Sequence, residues 1–152
     1  MARYSASGSQ NLPASSTPIT ALTIAAQSTA HRNEIYDINI GNVGAPADLV
    51  TLHTIQRITA VGTAGSSVTP SLLDIAERAS QSAVGENHSS EPTYTSATEL
   101  LEIPLNHRAT FRWVAAPGSE LITPATNNSG IGAKAFHASA DTEWRVGCMW
   151  LE

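Results

Sequence analysis

The chain is poor in charge, in lysine and in cysteine, and each shortage excludes a class of protein. Only 14% of its 152 residues are charged, and Lys134 is the only lysine. With a net charge of -5 and arginines scattered along the chain, no basic stripe exists. Binding to a nucleic-acid backbone therefore has little electrostatic support. The single cysteine, Cys148, has no partner for an internal disulfide.

Long apolar runs are also missing. The N-terminus has no apolar core of the length that a signal peptide needs, and no stretch approaches the length of a membrane helix. We therefore expect a protein that is made in a cytoplasm and makes no membrane contact. With 41% apolar residues, the chain has the size and composition of one domain around one core.

The strongest pattern lies in the last eleven residues, Thr142 to Glu152. Side chains alternate between the two faces of a strand, so one apolar row is predicted to face the core. This row consists of Trp144, Val146, Cys148 and Trp150. Met149 and Leu151 begin a second apolar row on the opposite face, which predicts contact with a second layer or another subunit.

Apolar alternations separated by turns of Gly, Pro and Asn predict about seven or eight strands. The predicted strands are Ile19–Ala26, Asn33–Ile40, Asp48–Ala60, Thr98–Ile103, Ala109–Ala115, Glu120–Thr123, Ile131–Ala138 and Thr142–Leu151. The last two are expected to form a closing hairpin, and a change of phase at Ile55 and Ile58 predicts a bulge or a change of sheet. This spacing predicts an all-β fold, an antiparallel β-sandwich of jelly-roll type.

Three other segments lack strand patterns. Residues 1–18 are rich in Ser, Ala, Gly and Pro, and we predict an extended N-terminal arm there, held by its own sheet edge or by a neighbouring subunit. Residues 19–152 are then the single sandwich domain. Leu72–Ser82 has helix-like spacing and predicts one or two helical turns, and Ser80–Ser96 is polar and predicts an exposed loop.

No motif for chemistry emerges from the titratable residues. The five histidines never approach the spacing of a zinc or haem site, and we expect them to be surface or hydrogen-bonded residues: His31, His53, His88, His107 and His137. The acidic residues are dispersed, and no nucleophile elbow surrounds a serine. We therefore predict no catalytic, cofactor-binding or metal-binding residues and no enzyme activity. Cys148 is expected to be a core residue.

The layout of the chain resembles small β-sandwich virion proteins of tailed bacteriophages. The resemblance rests on the segments Met1–Ser9, Arg32–Gly41, Thr63–Asp74, Phe111–Ile122, Pro124–Gly132 and Thr142–Glu152. Within this class the chain is most similar to head decoration, or cement, proteins. The resemblance implies a non-enzymatic protein on the capsid surface that binds the major capsid protein and copies of itself, with a trimer as one expected form.

An extended arm can add a strand to a neighbour's sheet, where main-chain hydrogen bonds supply the affinity. Arg3 and Tyr4 are then expected interface anchors, together with Met149 and Leu151 on the terminal strand. The alternative function is a phage tail, receptor-binding or carbohydrate-binding module, which needs exposed aromatic side chains, and Trp113, Trp144 and Trp150 are the candidates. A small hydrolase is the third hypothesis.

Overall fold

The computed structural model describes residues 1–13, 15–29, 31–44, 47–137 and 141–152. These residues form twelve strands, numbered here in chain order, in two six-stranded antiparallel sheets. No helix is present among them. The prediction of an all-β antiparallel sandwich is therefore confirmed.

Sheet A has the spatial order β10–β3–β12–β1–β6, and β9 pairs with the same strand β3 as β10 does. Its strands are β1 (Arg3–Leu12), β3 (Glu34–Val43), β6 (Ser71–Leu72), β9 (Thr110–Val114), β10 (Leu121–Ile122) and β12 (Thr142–Leu151). The terminal strand thus lies in the middle of its sheet, between β1 and β3.

Sheet B has the spatial order β5–β7–β2–β11–β4–β8. Its strands are β2 (Ser15–Ala26), β4 (Val50–Ala60), β5 (Thr63–Ser67), β7 (Ser82–Ser90), β8 (Thr93–Asn106) and β11 (Gly130–His137). Pairing between β4 and β8 shifts register around Ile55, Gln56 and Ile58, which confirms the bulge predicted from the change of phase.

The core lies between the two sheets, where β1 of sheet A packs over β2 and β7 of sheet B. The predicted core row of β12 is confirmed, because none of its four members is more than 3% exposed: Trp144, Val146, Cys148 and Trp150. Burial of a large apolar side chain stabilises a fold by roughly 1.5–3 kcal/mol. The two tryptophans are therefore among the main sources of stability in sheet A.

The N-terminal arm over residues 1–18 is not confirmed. Residues 3–12 form β1, which pairs with β12 along its whole length and with β6 at Tyr4 and Ser5. Alternate side chains of this strand, including Tyr4 and Leu12, are fully buried in the core. The composition of the segment conceals this role because Ala, Gly and Gln occupy the other inward positions.

Two predicted elements are wrong. The helical turns over Leu72–Ser82 do not form, since Leu73 and Ile75 are exposed and offer no apolar face for a helix to bury. A hydrogen bond from the Ala76 amide to the Asp74 carboxylate closes a turn there instead. The exposed loop over Ser80–Ser96 is instead β7 and the start of β8.

The predicted closing hairpin is also wrong, although both of its strands exist. β11 pairs with β2 and β4 in sheet B, whereas β12 pairs with β1 and β3 in sheet A. Each strand has buried apolar residues on its inward face, so each can be recognised as a strand of the core. Alternation identifies such strands but does not identify their partners.

Candidate functional sites

One end of the sandwich is organised by a buried carboxylate, and we call it the carboxylate end: His31, Asn33, Ser80, Ser82, Trp150 and Glu152. The Glu152 side chain has no exposed surface. Its carboxylate accepts four hydrogen bonds, from the Ser80 hydroxyl, the backbone N–H of Gln81 (3.0 Å), the Ser82 hydroxyl (2.7 Å) and Trp150 Nε1 (3.1 Å). Burial alone raises the pKa of Glu152, but these hydrogen bonds outweigh it and lower the pKa below its ordinary value.

His31 completes this network. Its Nε2 lies 2.7 Å from Asn33 Oδ1 and 3.4 Å from the Glu152 carboxylate. The Ser82 hydroxyl also bonds Asn33 Oδ1, at 2.9 Å, so the serine bonds an amide and a carboxylate rather than the imidazole. A nucleophilic serine needs a hydrogen bond to its base. The arrangement therefore ties β12 to β3 and β7 and does not resemble a catalytic triad.

The opposite end of the sandwich contains three buried histidines, and we call it the histidine end: Asn42, Thr51, His53, His107, His137 and Trp144. His53 is fully buried, its ring lies 4.9 Å from that of Trp144, and neither ring nitrogen has a hydrogen-bond partner. Burial, and secondarily the neighbouring His107, lowers the pKa of His53 to about 4. The imidazole is therefore neutral at pH 7.

His107 lies next to His53 in the same cluster. Its Nε2 is hydrogen-bonded to the Thr51 hydroxyl, and its ring lies 5.1 Å from that of His137. The Asn42 amide donates to the His107 carbonyl at 3.2 Å. Burial, and then His137, lowers the pKa of His107. Three more buried polar atoms here have no hydrogen-bond partner: His107 Nδ1, Trp144 Nε1 and Asn42 Oδ1.

Such a concentration of unpaired polar atoms is unusual, since most buried polar groups in proteins are hydrogen-bonded. Each buried polar group left without a partner costs about 1–3 kcal/mol. Within the described ranges, no group of three or more His, Cys, Asp or Glu side chains is arranged to hold a metal ion. The histidine end is therefore a polar cluster whose burial is costly, at the opposite end of the sandwich from Glu152.

All five histidines are buried, at no more than 7% exposure, so the expectation of surface histidines is wrong. The other part of the expectation, that the histidines are hydrogen-bonded, is confirmed for three of them. His31 bonds Asn33, His88 bonds Thr23 and His107 bonds Thr51. A sequence signal for this burial does exist. His53 shares its alternation phase with the core residue Ile55, and His137 shares its phase with Ala133 and Ala135.

The third candidate is the outer face of sheet A, defined here by Arg3, Ser5, Ser7, Tyr36, Gly147, Met149 and Leu151. Met149 lies between Ser5 and Asp37 of the neighbouring strands, and Leu151 lies between Arg3 and Glu34. Both apolar side chains are half-buried. Serine and glycine fill much of the remaining face, which leaves the strand backbones close to the surface.

One ion pair borders this face. Arg112 donates from Nε and Nη to the two carboxylate oxygens of Asp37, at 3.1 and 2.5 Å. Asp37 is only 4% exposed as a result. A bidentate pair of this kind holds the guanidinium in one geometry.

The chain also covers part of the outer face of sheet B. The Tyr94 ring lies over Gly132, where an added Cβ would come within 2.5 Å of the phenol oxygen. The Tyr94 hydroxyl is 2.7 Å from the Thr20 hydroxyl, and Lys134 Nζ lies 4.4 Å from the centre of the ring. On sheet A the Asn39 side chain lies over Gly147 in a similar way, with its oxygen 2.7 Å from the position of an added Cβ, and Val68, Thr69 and Ser71 border the same hollow as Ser5, Ser7 and Met149.

Of the four residues predicted to form an interface, three lie on the outer face of sheet A: Arg3, Met149 and Leu151. The prediction for Tyr4 needs correction, because this residue is fully buried. Its hydroxyl donates to the Arg78 carbonyl at 2.8 Å, and its ring stacks on Trp150 with 5.9 Å between centroids. Side chains alternate between the two faces of β1, so Tyr4 faces the core opposite Trp150 and Ser5 faces outward.

Comparison with known protein families, with curated proteins and with solved structures finds no match for this chain. The described residues also contain no helix long and apolar enough to span a membrane.

Proposed function

We propose that the protein is a non-enzymatic structural protein of a bacteriophage virion, a head decoration or cement protein on the capsid surface. In this proposal it is made in the host cytoplasm, binds the major capsid protein and self-associates, with a trimer as one form. The supporting observation is the outer face of sheet A, where Met149 and Leu151 lie on a face of small side chains. Both side chains are only half-buried, so this part of the face remains open to a partner.

We also propose that the sandwich is a jelly roll. Eight strands support this, because their spatial orders, β1–β12–β3–β9 in one sheet and β2–β11–β4–β8 in the other, match the two four-stranded sheets of that topology. The remaining strands, β5, β6, β7 and β10, then extend the sheet edges. Jelly rolls are common among viral capsid and lectin domains. The topology is thus compatible with the virion proposal and with its main alternative.

The chemistry of the outer face of sheet A suits repeated, modest interfaces. Half-buried Met149 and Leu151 supply adaptable apolar contact, and the hydroxyls of Ser5 and Ser7 supply hydrogen bonds with little desolvation cost. A decoration protein binds in many copies, so self-association adds avidity to each small interface. Low charge on the face also limits electrostatic cost when it meets another protein surface.

Binding to capsids tests the proposal directly. Purified protein is mixed with capsids that lack it, from the phage that encodes the chain, and co-sedimentation is measured. We expect saturable binding at a fixed ratio to the major capsid protein, with a gain in the thermal stability of the shell. Failure to bind these capsids, together with binding to purified tails, would contradict the head location.

The alternative function is a phage tail, receptor-binding or carbohydrate-binding module. The possible jelly-roll topology favours it, but Trp144 and Trp150 are fully buried and cannot stack on a sugar. Trp113 is half-buried, and so is Tyr36, which lies on the surface beside Arg3 and Leu151, so both remain for such a role. Binding to host glycans that is lost in Tyr36→Ala would support this alternative over the capsid proposal.

A further inference from the structure

We propose that β9 is a self-association edge, along which sheet A pairs with sheet A of a second copy of this chain. The pairing is antiparallel and two-fold symmetric, and it is made by the backbone groups of Thr110, Arg112 and Val114. The inference goes beyond the proposed function, which assigns no strand to self-association. Its evidence is the edge of one strand and does not depend on a role in a virion.

One side of β9 has no pairing partner. Within the described part of the chain β9 pairs with β3 alone, and β12 occupies the other side of β3. The Ala115 N–H donates to the Tyr36 carbonyl at 2.8 Å, in step with this ladder. Hydrogen bonds alternate along an antiparallel ladder and no register shift interrupts this one, so the backbone groups of Phe111 and Trp113 also point to β3. Those of the other three residues therefore point to the free edge: Thr110, Arg112 and Val114.

Such an edge is usually blocked in proteins, because its unpaired backbone groups would otherwise pair with another chain. Three of the other edge strands described here are short or irregular. β6 and β10 have two residues each, which is too short to hold a partner strand. β5 has a register shift after Thr63, and its Thr, Ala, Gly and Ser side chains give a partner little to pack against.

β8, the edge strand on the other side of sheet B, is blocked along its length. Its pairing with β4 shifts register at three places, and Ala97 has a positive φ of 55°. The His107 N–H donates to the Leu49 carbonyl at 2.9 Å, in step with this ladder. Alternation therefore turns the backbone of Glu102 and Pro104 to the free edge. Proline at such a position removes a donor from the edge without removing a ladder hydrogen bond.

β9 carries none of these blocks. Its five residues, Thr-Phe-Arg-Trp-Val, have high β-propensity for the most part, include no proline, glycine or acidic residue, and keep one register with β3. The one charged side chain, Arg112, is bound by both oxygens of the Asp37 carboxylate, so its charge is paired within its own sheet. Among the described edge strands, β9 is therefore the one open to strand addition.

Symmetry favours a second copy as the added strand. Two identical strands related by a two-fold axis perpendicular to the sheet run antiparallel, and the same residues donate and accept on both sides. Every ladder described in the two sheets is antiparallel, so the added strand continues the pattern of sheet A. One partner then satisfies the edge of each copy and leaves neither β9 open.

The direction of the backbone groups also sets the register. With Arg112 on the two-fold axis all five residues of each strand overlap, and three residue pairs exchange two hydrogen bonds each. Phe111 then lies opposite Trp113 of the second copy, in a pair without hydrogen bonds, where side chains approach most closely. Both aromatic side chains are only half-buried against the core, and cross-strand aromatic pairs stabilise a sheet. The two Arg112 side chains meet on the axis, each already bound to Asp37 of its own copy.

The affinity of this pairing should be modest. Five strand residues span about 17 Å, and a contact of that length buries less than the roughly 1,200 Å² at which stable interfaces begin. We therefore expect a dissociation constant of about 10–100 µM.

Sedimentation equilibrium of the purified protein from about 1 µM to about 1 mM tests the pairing with no capsid present, so its outcome is separate from that of capsid binding. We expect a reversible monomer–dimer equilibrium. Amide hydrogen exchange should slow at Arg112 and Val114 as the concentration rises, while exchange at Glu102 on the blocked edge stays constant. A monomer at the highest concentration, a trimer, or a dimer that leaves exchange at Arg112 and Val114 unchanged would overturn the proposal.

A proline variant assigns the dimer to β9. Val114→Pro removes an N–H that the ladder with β3 does not use, at a side chain that is 55% exposed, so it is compatible with folding. We expect its dissociation constant to rise at least about tenfold. Glu102→Pro is the matched control, because it makes the same change at an outward position of β8, and it should dimerise as the wild-type protein does.

Wild-type dimerisation of Val114→Pro, or loss of the dimer in Glu102→Pro, would contradict the assignment to β9. If either variant fails to fold, the concentration dependence of exchange at Arg112 and Val114 in the wild-type protein decides the question by itself.

Discussion

The substitution Glu152→Ala should destabilise the protein strongly. The carboxylate is buried and accepts hydrogen bonds from the side chains of Ser80, Ser82 and Trp150 and from the backbone N–H of Gln81. Ser82 keeps a second partner in Asn33, and Ser80 and Gln81 are near enough to the surface to bond water. Trp150 Nε1 is the donor that remains buried and unpaired.

The expected loss can be worked out from these contacts. A hydrogen bond to a charged group contributes about 1.5–3 kcal/mol, and an orphaned buried donor costs about 1–3 kcal/mol. These two values describe partly the same loss, so they are not added in full, and the exposed donors on Ser80 and Gln81 can bond water instead. We therefore expect the free energy of unfolding to fall by about 3 kcal/mol. Glu143→Ala is the matched control on β12, the strand that directly precedes Glu152, because its pair with Arg145 is on the surface and should contribute less than about 1 kcal/mol.

Urea unfolding followed by tryptophan fluorescence measures both variants, with the slope of the transition as a check that the unfolded state is unchanged. The stability that Glu152→Ala loses should also depend on pH. The pKa of Glu152 is lowered in the folded state, so its contribution is present above about pH 4.5 and disappears as the pH falls through the folded-state pKa. Equal effects of Glu152→Ala and Glu143→Ala at pH 7 would refute this account of the carboxylate end.

Three further outcomes follow from close packing in the core. Gly130→Ala should cost about 1–3 kcal/mol in thermal unfolding, because its Cβ would lie 2.0 Å from the Ile24 carbonyl oxygen, whereas Gly41→Ala meets only the Thr110 methyl at 3.3 Å and should be mild. Cys148 is 3% exposed and burial raises its pKa to about 12, so a thiol reagent should label it only after unfolding. Tyr4→Phe should cost about 1 kcal/mol by chemical denaturation, since the Arg78 carbonyl loses its donor. Labelling of native Cys148, or a Gly41→Ala effect as large as that of Gly130→Ala, would contradict the described packing.

Strands with clear apolar alternation could be predicted from the sequence. The terminal strand shows this best, because every second residue from Trp144 to Trp150 is apolar and buried. β3 and β4 were predictable for the same reason. Their partners were not, since pairing depends on how the chain crosses between sheets rather than on any local pattern.

Polar strands could not be identified in this way. In β7 Val84 is the one large apolar residue, and the remaining positions hold Ala, Gly, Ser, Glu, Asn and His. The strand is stabilised by pairing with β2 and β5 and by contacts such as His88 to Thr23. β1 shows the same effect, since small and polar residues alternate with Tyr4 and Leu12. Hydrogen bonds formed only in the tertiary structure satisfy these residues, so hydropathy alone predicts an arm or a loop.

The candidate sites were less predictable still. The carboxylate end joins residues from three distant segments, at His31, Ser82 and Glu152, and no spacing in the sequence reveals that they meet. The histidine end gathers His53, His107 and His137 in the same way. By contrast, the half-exposed positions of Met149 and Leu151 follow from alternation alone, and the structure places both on the outer face of sheet A.

The most direct test of the proposed capsid-binding face compares Met149→Lys with Val50→Lys in binding to capsids that lack the protein. Met149 lies on the outer face of sheet A beside Asp37, so a lysine there is compatible with folding, while Val50 is an exposed apolar residue of sheet B. We expect Met149→Lys to weaken binding at least about tenfold, roughly 1.4 kcal/mol, and Val50→Lys to bind as the wild-type protein does. Wild-type affinity in Met149→Lys, with both variants folded, would contradict the assignment of this face.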